Sequence, residues 1–427
     1  MFIMISNLFQ SRRFNEKNGH LPFNISSAQG IYVQDEHGKK YINAYGGLSL
    51  PFGFGRNELI EAVSVQIATM PYIPLNGISS TVTEEYARRL SNFVPCGPWT
   101  SLFVNSGSEA VDSALKAARL FWTGSSRFSS DSRSMILSFS NSYHGQTIGA
   151  MAVSGIYQDF ENHSSKWEYG VDFAPSPLPS VGSYESGVQN SLNNSLELLE
   201  ERLKNDRIGT VIIEPVIGAG GVHFHPPDYW VAFKEIIDRK KILLIIDESA
   251  TCAGRTGEKF AFTSIGLKPD ILILAKGING GYLPSGVMML SENVTSQILQ
   301  SSEELFSTSQ GGNSIIAKLG IEALNIFEKE RPWENASRQG GYLIGKLKKI
   351  SKEITVRGRG LLIGIDFNIR LNEKIALEAQ KIMREQGVLI YAKERFIGVF
   401  PPLSISDIET EMIIDSFREC IKELGLS

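Results

Sequence analysis

Five short apolar runs restrict this chain to few architectures. They cover Met135–Phe139, 210–214, 242–247, 271–276 and 286–290, and residues that favour turns or caps follow them. A strand that is apolar on both sides has no face to offer water, so it belongs inside a parallel sheet covered twice. Helical patterns lie between the runs. After Pro226-Pro227, for example, Trp230, Phe233 and Ile237 fall on one helical face. The expectation is an α/β fold whose sheet is sandwiched by helices. Such folds bind ligands beyond the carboxyl ends of their strands.

The chain has 427 residues, more than one compact core usually holds, so two domains are expected. Residues 1–60 read as short strands and turns, with a hairpin pattern at Gly30-Ile31-Tyr32-Val33 and Gly38-Lys39-Lys40-Tyr41. Residues 61–312 hold the strand–helix alternation. From 313 a long helical pattern (315–330) leads into a second, smaller α+β region that runs to 427. That region has a strand at 361–367, a helix at 373–386 and a last helix after Ser406-Asp407-Ile408-Glu409, which has capping-box spacing.

A net charge of −4 and a pI near 6.0 argue against a nucleic-acid partner or a polybasic membrane surface. No apolar run is as long as a membrane span. Met1-Phe2-Ile3-Met4-Ile5 lacks the flanks of a signal peptide and reads as a packed amino-terminal segment. Three cysteines, Cys96, Cys252 and Cys420, make no disulfide framework and suit a reducing cytoplasm.

Chemistry concentrates at the strand exits. Lys276 ends one run and is followed by Gly277-Ile278-Asn279-Gly280-Gly281-Tyr282-Leu283-Pro284; Asp247-Glu248 ends another. A primary amine and an acid so placed are what an enzyme needs to hold an aldehyde cofactor as a Schiff base and keep its ring nitrogen protonated. Asn105-Ser106-Gly107-Ser108-Glu109 opens a helix whose free N–H groups suit a phosphate. Tyr143, in Ser142-Tyr143-His144-Gly145-Gln146-Thr147, follows a strand and could stack on a flat ring. Taken singly, each motif has an ordinary reading as a capped helix, a core tyrosine or a turn-capping acid. His223 and His225 could pair on a metal, but no third ligand suits them, so no metal site is expected. Gly218-Ala219-Gly220-Gly221 lacks the spacing of a dinucleotide fingerprint.

Together and in this order the motifs resemble the class III aminotransferases, pyridoxal-phosphate enzymes of the type I fold. The resemblance runs from about residue 25 to the end. It implies a large, mostly parallel seven-stranded sheet domain and a smaller α+β domain against which residues 1–60 pack. It also implies a homodimer with active sites at the subunit interface. By the resemblance, Lys276 is the Schiff-base lysine and Asp247 the partner of the ring nitrogen. Ser106, Gly107 and Ser108 hold the phosphate, and Tyr143 stacks on the ring with His144 beside it. Glu214-Pro215 matches a family motif, and Ser309, before Gly311-Gly312-Asn313, stands where a threonine usually reaches the partner subunit's phosphate.

The chain also departs from the family pattern. Ser249 replaces a branched residue under the ring, Ala250 removes an amide that often touches the ring hydroxyl, and Cys252 alters the same stretch. Ala219 stands where members acting on ornithine, acetylornithine or 4-aminobutyrate have a second glutamate. Gly398 stands where they have an arginine for the α-carboxylate; Lys393 or Arg395 could swing in instead. Phe54-Gly55-Arg56-Asn57 replaces another usual segment. The segments around Tyr143 and Glu214 are most similar to the amine transaminase and diaminopelargonate-synthesising branch. The expected activity is a cytoplasmic aminotransferase, in a biosynthetic pathway, working between a small amine donor and a ketone or aldehyde acceptor. An aminomutase on the same scaffold and a non-catalytic cofactor-binding protein are the alternatives.

Overall fold

The computed structural model describes residues 24–75, 77–123, 133–157, 170–176, 186–300, 305, 308–368 and 370–427, with side chains only from 192 on in the stretch that begins at 186. The amino-terminal apolar segment at Met1-Phe2-Ile3 lies outside the described residues.

An antiparallel meander comes first: β1 (Ile25–Gln29), β2 (Tyr32–Asp35) and β3 (Lys40–Asn43). The central sheet follows, with β4 (Trp99–Val104), β5 (Met135–Phe139), β6 (Val171–Ala174), β7 (Ile208–Ile213), β8 (Leu243–Asp247), β9 (Ile271–Ala275) and β10 (Gly286–Ser291). Its order is β4-β10-β9-β8-β7-β5-β6, and every pairing is parallel except those of β10, which runs against both neighbours. Sequence reading finds the five inner strands and misses the two edges. The reason is physical: an edge strand has one neighbour and one less protected side, so β4 keeps Thr100 and Ser101 and β6 keeps Asp172.

The inner strands are apolar on both sides because they serve two cores. Leu244, Ile246, Leu272, Leu274, Val287 and Met289 pack into one. Their alternates Leu243, Ile245, Ile271, Ile273, Met288 and Leu290 pack into the other, under the helix Gly107–Thr123. The first core receives the helix Pro227–Lys240 through Trp230, Phe233 and Ile237, the face expected from its spacing. It also receives the helix Ser314–Glu330, capped by the Asn313 side chain on the amides of Ile315 and Ile316.

The carboxy-terminal part builds a separate core around β11 (Ile354–Arg359), β12 (Leu362–Phe367), β13 (Val388–Leu389), β14 (Tyr391–Lys393) and β15 (Phe396–Val399). The last helix, Asp407–Glu423, starts with the expected reciprocal Ser406–Glu409 box. β13 pairs in parallel with β3, so the amino-terminal meander is continuous with this part of the chain. Arg255 ties the regions together. Its buried guanidinium donates to the carbonyls of Leu361 (3.1 Å), Pro401 (2.6 Å) and Gly47. Among the described residues, no helix is long and apolar enough to cross a membrane.

Candidate active site

β8 and β9 are parallel neighbours, so Asp247 and Lys276 leave the sheet side by side. Both line one cavity of about 450 Å³, together with Ser106, Gly107, Ser108, Tyr143, His144 and Ser249. Lys276 opens a 3-10 turn in the left-handed region, φ 49°, an uncommon conformation for a side chain of this size. The loop after it is held by Asn279, whose amide donates to the Leu283 carbonyl (2.9 Å) and whose side-chain oxygen accepts from the Gly281 amide (3.0 Å). Gly281 has φ 80°, and a Cβ there would collide with the Ser49 carbonyl, so only glycine fits this close approach.

Asp247 is 4% exposed. Burial alone would raise its pKa, but the His144 Nδ1 hydrogen bond (2.9 Å), the Ser249 amide (2.9 Å) and the nearby Lys276 charge hold it below the usual carboxylate range. An ionised carboxylate therefore lines the cavity. His144 is itself buried, and the Ser154 hydroxyl accepts from its backbone amide (2.8 Å). The sequence motif names His144 without revealing this pairing, which spans 103 residues.

At the helix start that lines the same cavity, the Ser106 hydroxyl accepts from the Glu109 amide (3.2 Å) and the Glu109 carboxylate accepts from the Asn105 amide (2.7 Å). The ordinary reading of this motif as a capped helix is thus also true. The cap uses the Ser106 hydroxyl and leaves the early amides of the helix at the cavity, where an anion is favoured. The Ser108 hydroxyl accepts from the Gln146 amide (3.1 Å), which joins the helix start to the Tyr143–His144 loop.

Three of the expected residues do not line the cavity. Glu214 acts from behind: its carboxylate accepts from the Tyr143 amide (2.9 Å) and the Gly218 amide (3.0 Å), and burial pushes its pKa up to about 6. Ala250 sits beside Gly218. Ser309 lies with Thr308 and Gly311 in a neighbouring cavity of about 820 Å³, which also exposes Tyr72, Leu75 and Ile78. The two cavities meet at the Asn105–Thr308 hydrogen bond (2.9 Å). Lys393 and Arg395 are directed elsewhere: Lys393 is 4.0 Å from Glu394, and Arg395 is bound to the Leu371 carbonyl and Glu373. His225 packs against Tyr229 and Trp230, and burial pushes the pKa of both His223 and His225 down to about 3. Sequence reasoning missed Ser49 and Ser285, which also line the cavity. Neither carries a local signal, since a lone serine in a loop is unremarkable.

Glu248 adds a pH effect. It is fully buried, accepts from Thr251 and from the Phe262 amide (2.6 Å), and burial pushes its pKa up to about 7 from 4.5. The folded state holds this proton after the unfolded chain has lost it, so its contribution to stability is full below pH 4.5 and declines as pH rises through 7. Glu248→Gln should therefore melt with the wild type at pH 4.5 and a few degrees above it at pH 8. Calorimetry at both pH values checks this, and a gap independent of pH refutes it.

The sequence model of the family described as Aminotransferase class-III matches residues 13–421. The chain is similar to an acetylornithine aminotransferase of Aquifex aeolicus, at 30% identity over 94% of this chain and 97% of that protein. Its fold is similar to a thermostable (S)-enantioselective omega-transaminase from Thermomicrobium roseum (TM-score 0.87, 29% identity, 98% of this chain and 95% of that one). It is also similar to an amine transaminase from an uncultivated Pseudomonas species in its pyridoxal-phosphate-bound form (TM-score 0.87, 26% identity, 99% and 98%).

Proposed function

Because the chain belongs to the class III aminotransferase family, whose chemistry uses pyridoxal phosphate to move an amino group between an amine and a carbonyl compound, we propose that its own acceptor is a ketone or aldehyde with no carboxylate on the reacting carbon. One observation carries the reading. The cavity that joins Lys276 to Asp247 contains no arginine among its described lining residues. A carboxylate is held best by a guanidinium fork, and a neutral wall does not replace one.

The residues fit the cofactor. The helix amides at Gly107 and Ser108 would hold the cofactor's phosphate, and the ionised Asp247 would pair with its ring nitrogen. A Cβ at Gly145 would run into Ser108, so the loop beside the phosphate end leaves no room for a side chain. When bound, pyridoxal phosphate supplies an electrophilic carbonyl carbon and a ring that accepts electrons from the substrate carbon.

The protein's own groups do the rest. Lys276 Nζ would hold the cofactor's carbonyl carbon, and the same amine would serve as the base and acid that moves a proton at the substrate carbon. Asp247 keeps the ring nitrogen protonated, and His144 holds the Asp247 carboxylate in one orientation. Tyr143, anchored through its amide to Glu214, forms one wall for the ring. Ser249 also lines the cavity; its Oγ is buried and has no hydrogen-bond partner among the described residues, so it is less well matched to an apolar ring than a branched side chain would be.

In this reading residues 61–312 make the cofactor domain and residues 313–427 the smaller domain, with the helix Ser314–Glu330 packed on the first core; of the described residues before 61, Ile31, Ile42 and Ala44 pack with the carboxy-terminal core and Phe52 and Leu59 with the first. The cavity at Ser309 and the exposed Tyr72, Leu75 and Ile78 support a homodimer in which Ser309 serves the partner subunit's phosphate end. The three cysteines without a disulfide support a cytoplasmic location, and the similarity to an acetylornithine aminotransferase supports a biosynthetic role. The decisive experiment supplies purified holoenzyme with a panel of amines and follows the cofactor absorbance through one half-reaction. Conversion by amines without a carboxylate is expected. Conversion only by α-amino acids, with no acceptor lacking a carboxylate able to reverse it, would refute the proposal.

A further inference from the structure

A cavity of about 20 Å³ lies against Glu214, bordered also by Ser142, His225, Tyr229 and Trp230. It has room for one water molecule and for nothing larger. Glu214 connects it to the active site, since the same carboxylate accepts from the Tyr143 amide (2.9 Å) and the Gly218 amide (3.0 Å). Apart from His225, which is half-buried, these bordering residues are buried, so a polar group left over among them has no bulk water to turn to.

Some of the polar groups around this space are already bonded. The Ser142 hydroxyl donates to the Val153 carbonyl (3.1 Å) and accepts from the Gly155 amide (3.1 Å), and the Tyr229 hydroxyl bonds with Ser195. The Trp230 Nε1–H is not: it is buried and has no partner among the described residues. A buried N–H in that position forfeits its hydration with nothing in return. The Glu214 carboxylate has lone pairs to spare after its two amides. His225 packs 5.4 Å from Trp230 between ring centroids, and burial pushes its pKa down to about 3. Its imidazole is therefore neutral near pH 7 and carries one N–H and one lone pair. A donor, an acceptor and a group that can act as either thus surround a space of one water's size.

We propose that a single buried water bridges Trp230 Nε1, His225 and the Glu214 carboxylate, which makes Trp230 and His225 positioning residues for Tyr143. The water accepts from the indole, donates to the carboxylate and makes its third bond with the imidazole, the usual number of partners for an internal water. A cation in the same place would face the indole N–H. Held from this side, the carboxylate keeps both oxygens on the backbone amides of Tyr143 and Gly218. Burial holds its pKa up at about 6, with His144 acting to lower it and Asp247 to raise it. The inference rests on Tyr143 as a wall for the cofactor ring and extends that wall's support behind the cavity.

The test has two arms. Diffraction from crystals of the wild-type holoenzyme should show one ordered water about 2.7–3.2 Å from both Trp230 Nε1 and a Glu214 oxygen; no density there overturns the assignment, whatever the enzyme turns over. The second arm measures the affinity for pyridoxal phosphate between pH 5 and 8. A hydrogen bond donated to a carboxylate favours its charged form, so removing the bridge raises the Glu214 pKa from about 6. In Trp230→Phe and in His225→Phe the loss of affinity on acidification should therefore set in at a pH about one unit higher than in wild type. Glu214→Gln should lack this acid limb altogether, which separates it from the titration of Glu248 and of the cofactor's own phosphate. A limb that persists in Glu214→Gln, or one that neither aromatic replacement moves, overturns the positioning role. An equal loss of affinity at every pH does the same, because it marks a merely structural effect. If Trp230→Phe does not fold, the wild-type density and His225→Phe decide the question.

Discussion

Lys276→Ala yields a folded protein whose amine turnover is nearly lost and which carries no covalently attached cofactor. Turnover should fall by about 10²–10⁴-fold from the loss of the proton-transferring group alone, and further because the nucleophile is missing as well. Folding should survive. Lys276 is only half-buried, and its neighbours in the loop are fixed by Asn279 and by the Tyr282 hydroxyl, which donates to the Gly53 carbonyl (2.9 Å) and accepts from the Arg56 amide (2.8 Å). Alanine at φ 49° retains a strain of about 1–2 kcal/mol. Lys276→Gly relieves it, and a higher melting temperature for the glycine variant separates backbone strain from chemistry. Borohydride reduction followed by peptide mapping checks the attachment. A tag on the peptide containing residue 276 in wild type and none in Lys276→Ala is expected, whereas a tag on any other lysine removes Lys276 from its role.

The second large effect belongs to Asp247. Asp247→Asn keeps the shape and can still accept from the Ser249 amide, but it removes the negative charge proposed to pair with the ring nitrogen. The amide also presents N–H to His144 Nδ1, where the carboxylate accepted a hydrogen bond, so the ring must change tautomer or turn. Loss of a preorganised charge of this kind costs about 10²–10³-fold in kcat. Because the Asp247 carboxyl lies below its usual range, the wild type keeps this charge throughout the neutral pH region, and the loss in the variant should not vary between pH 6 and 8. Single-turnover absorbance measures it. A variant within a fewfold of wild type would mean that another group protects the ring proton.

Motifs lead to the central site because each one is local. The two strand exits, the helix start at Ser106-Gly107-Ser108 and the loop at Tyr143 are all read from a few adjacent residues, and each lies where its pattern puts it. Glu214 shows the limit of such reading. Its motif is as clear as the others, yet its carboxylate is spent on two backbone amides behind Tyr143 and does not line the cavity. Ser309 shows another: a hydroxyl at the right place in the sequence opens on a neighbouring cavity of the same chain. Ser49 was invisible because what gives it a place is the collision that forbids a side chain at Gly281, a relation across more than two hundred residues.

Hydrophobic period, strand length and the residues at strand and helix ends determined the layered α/β architecture, since those preferences act within a few residues and every inner strand had to be covered twice. The partner of Asp247, the fixing of Tyr143 by Glu214 and the clamp of Arg255 on Gly47 were decided only by the assembled structure. These contacts join segments far apart in the chain, and their geometry follows from how the two cores seat against each other, which no local pattern encodes.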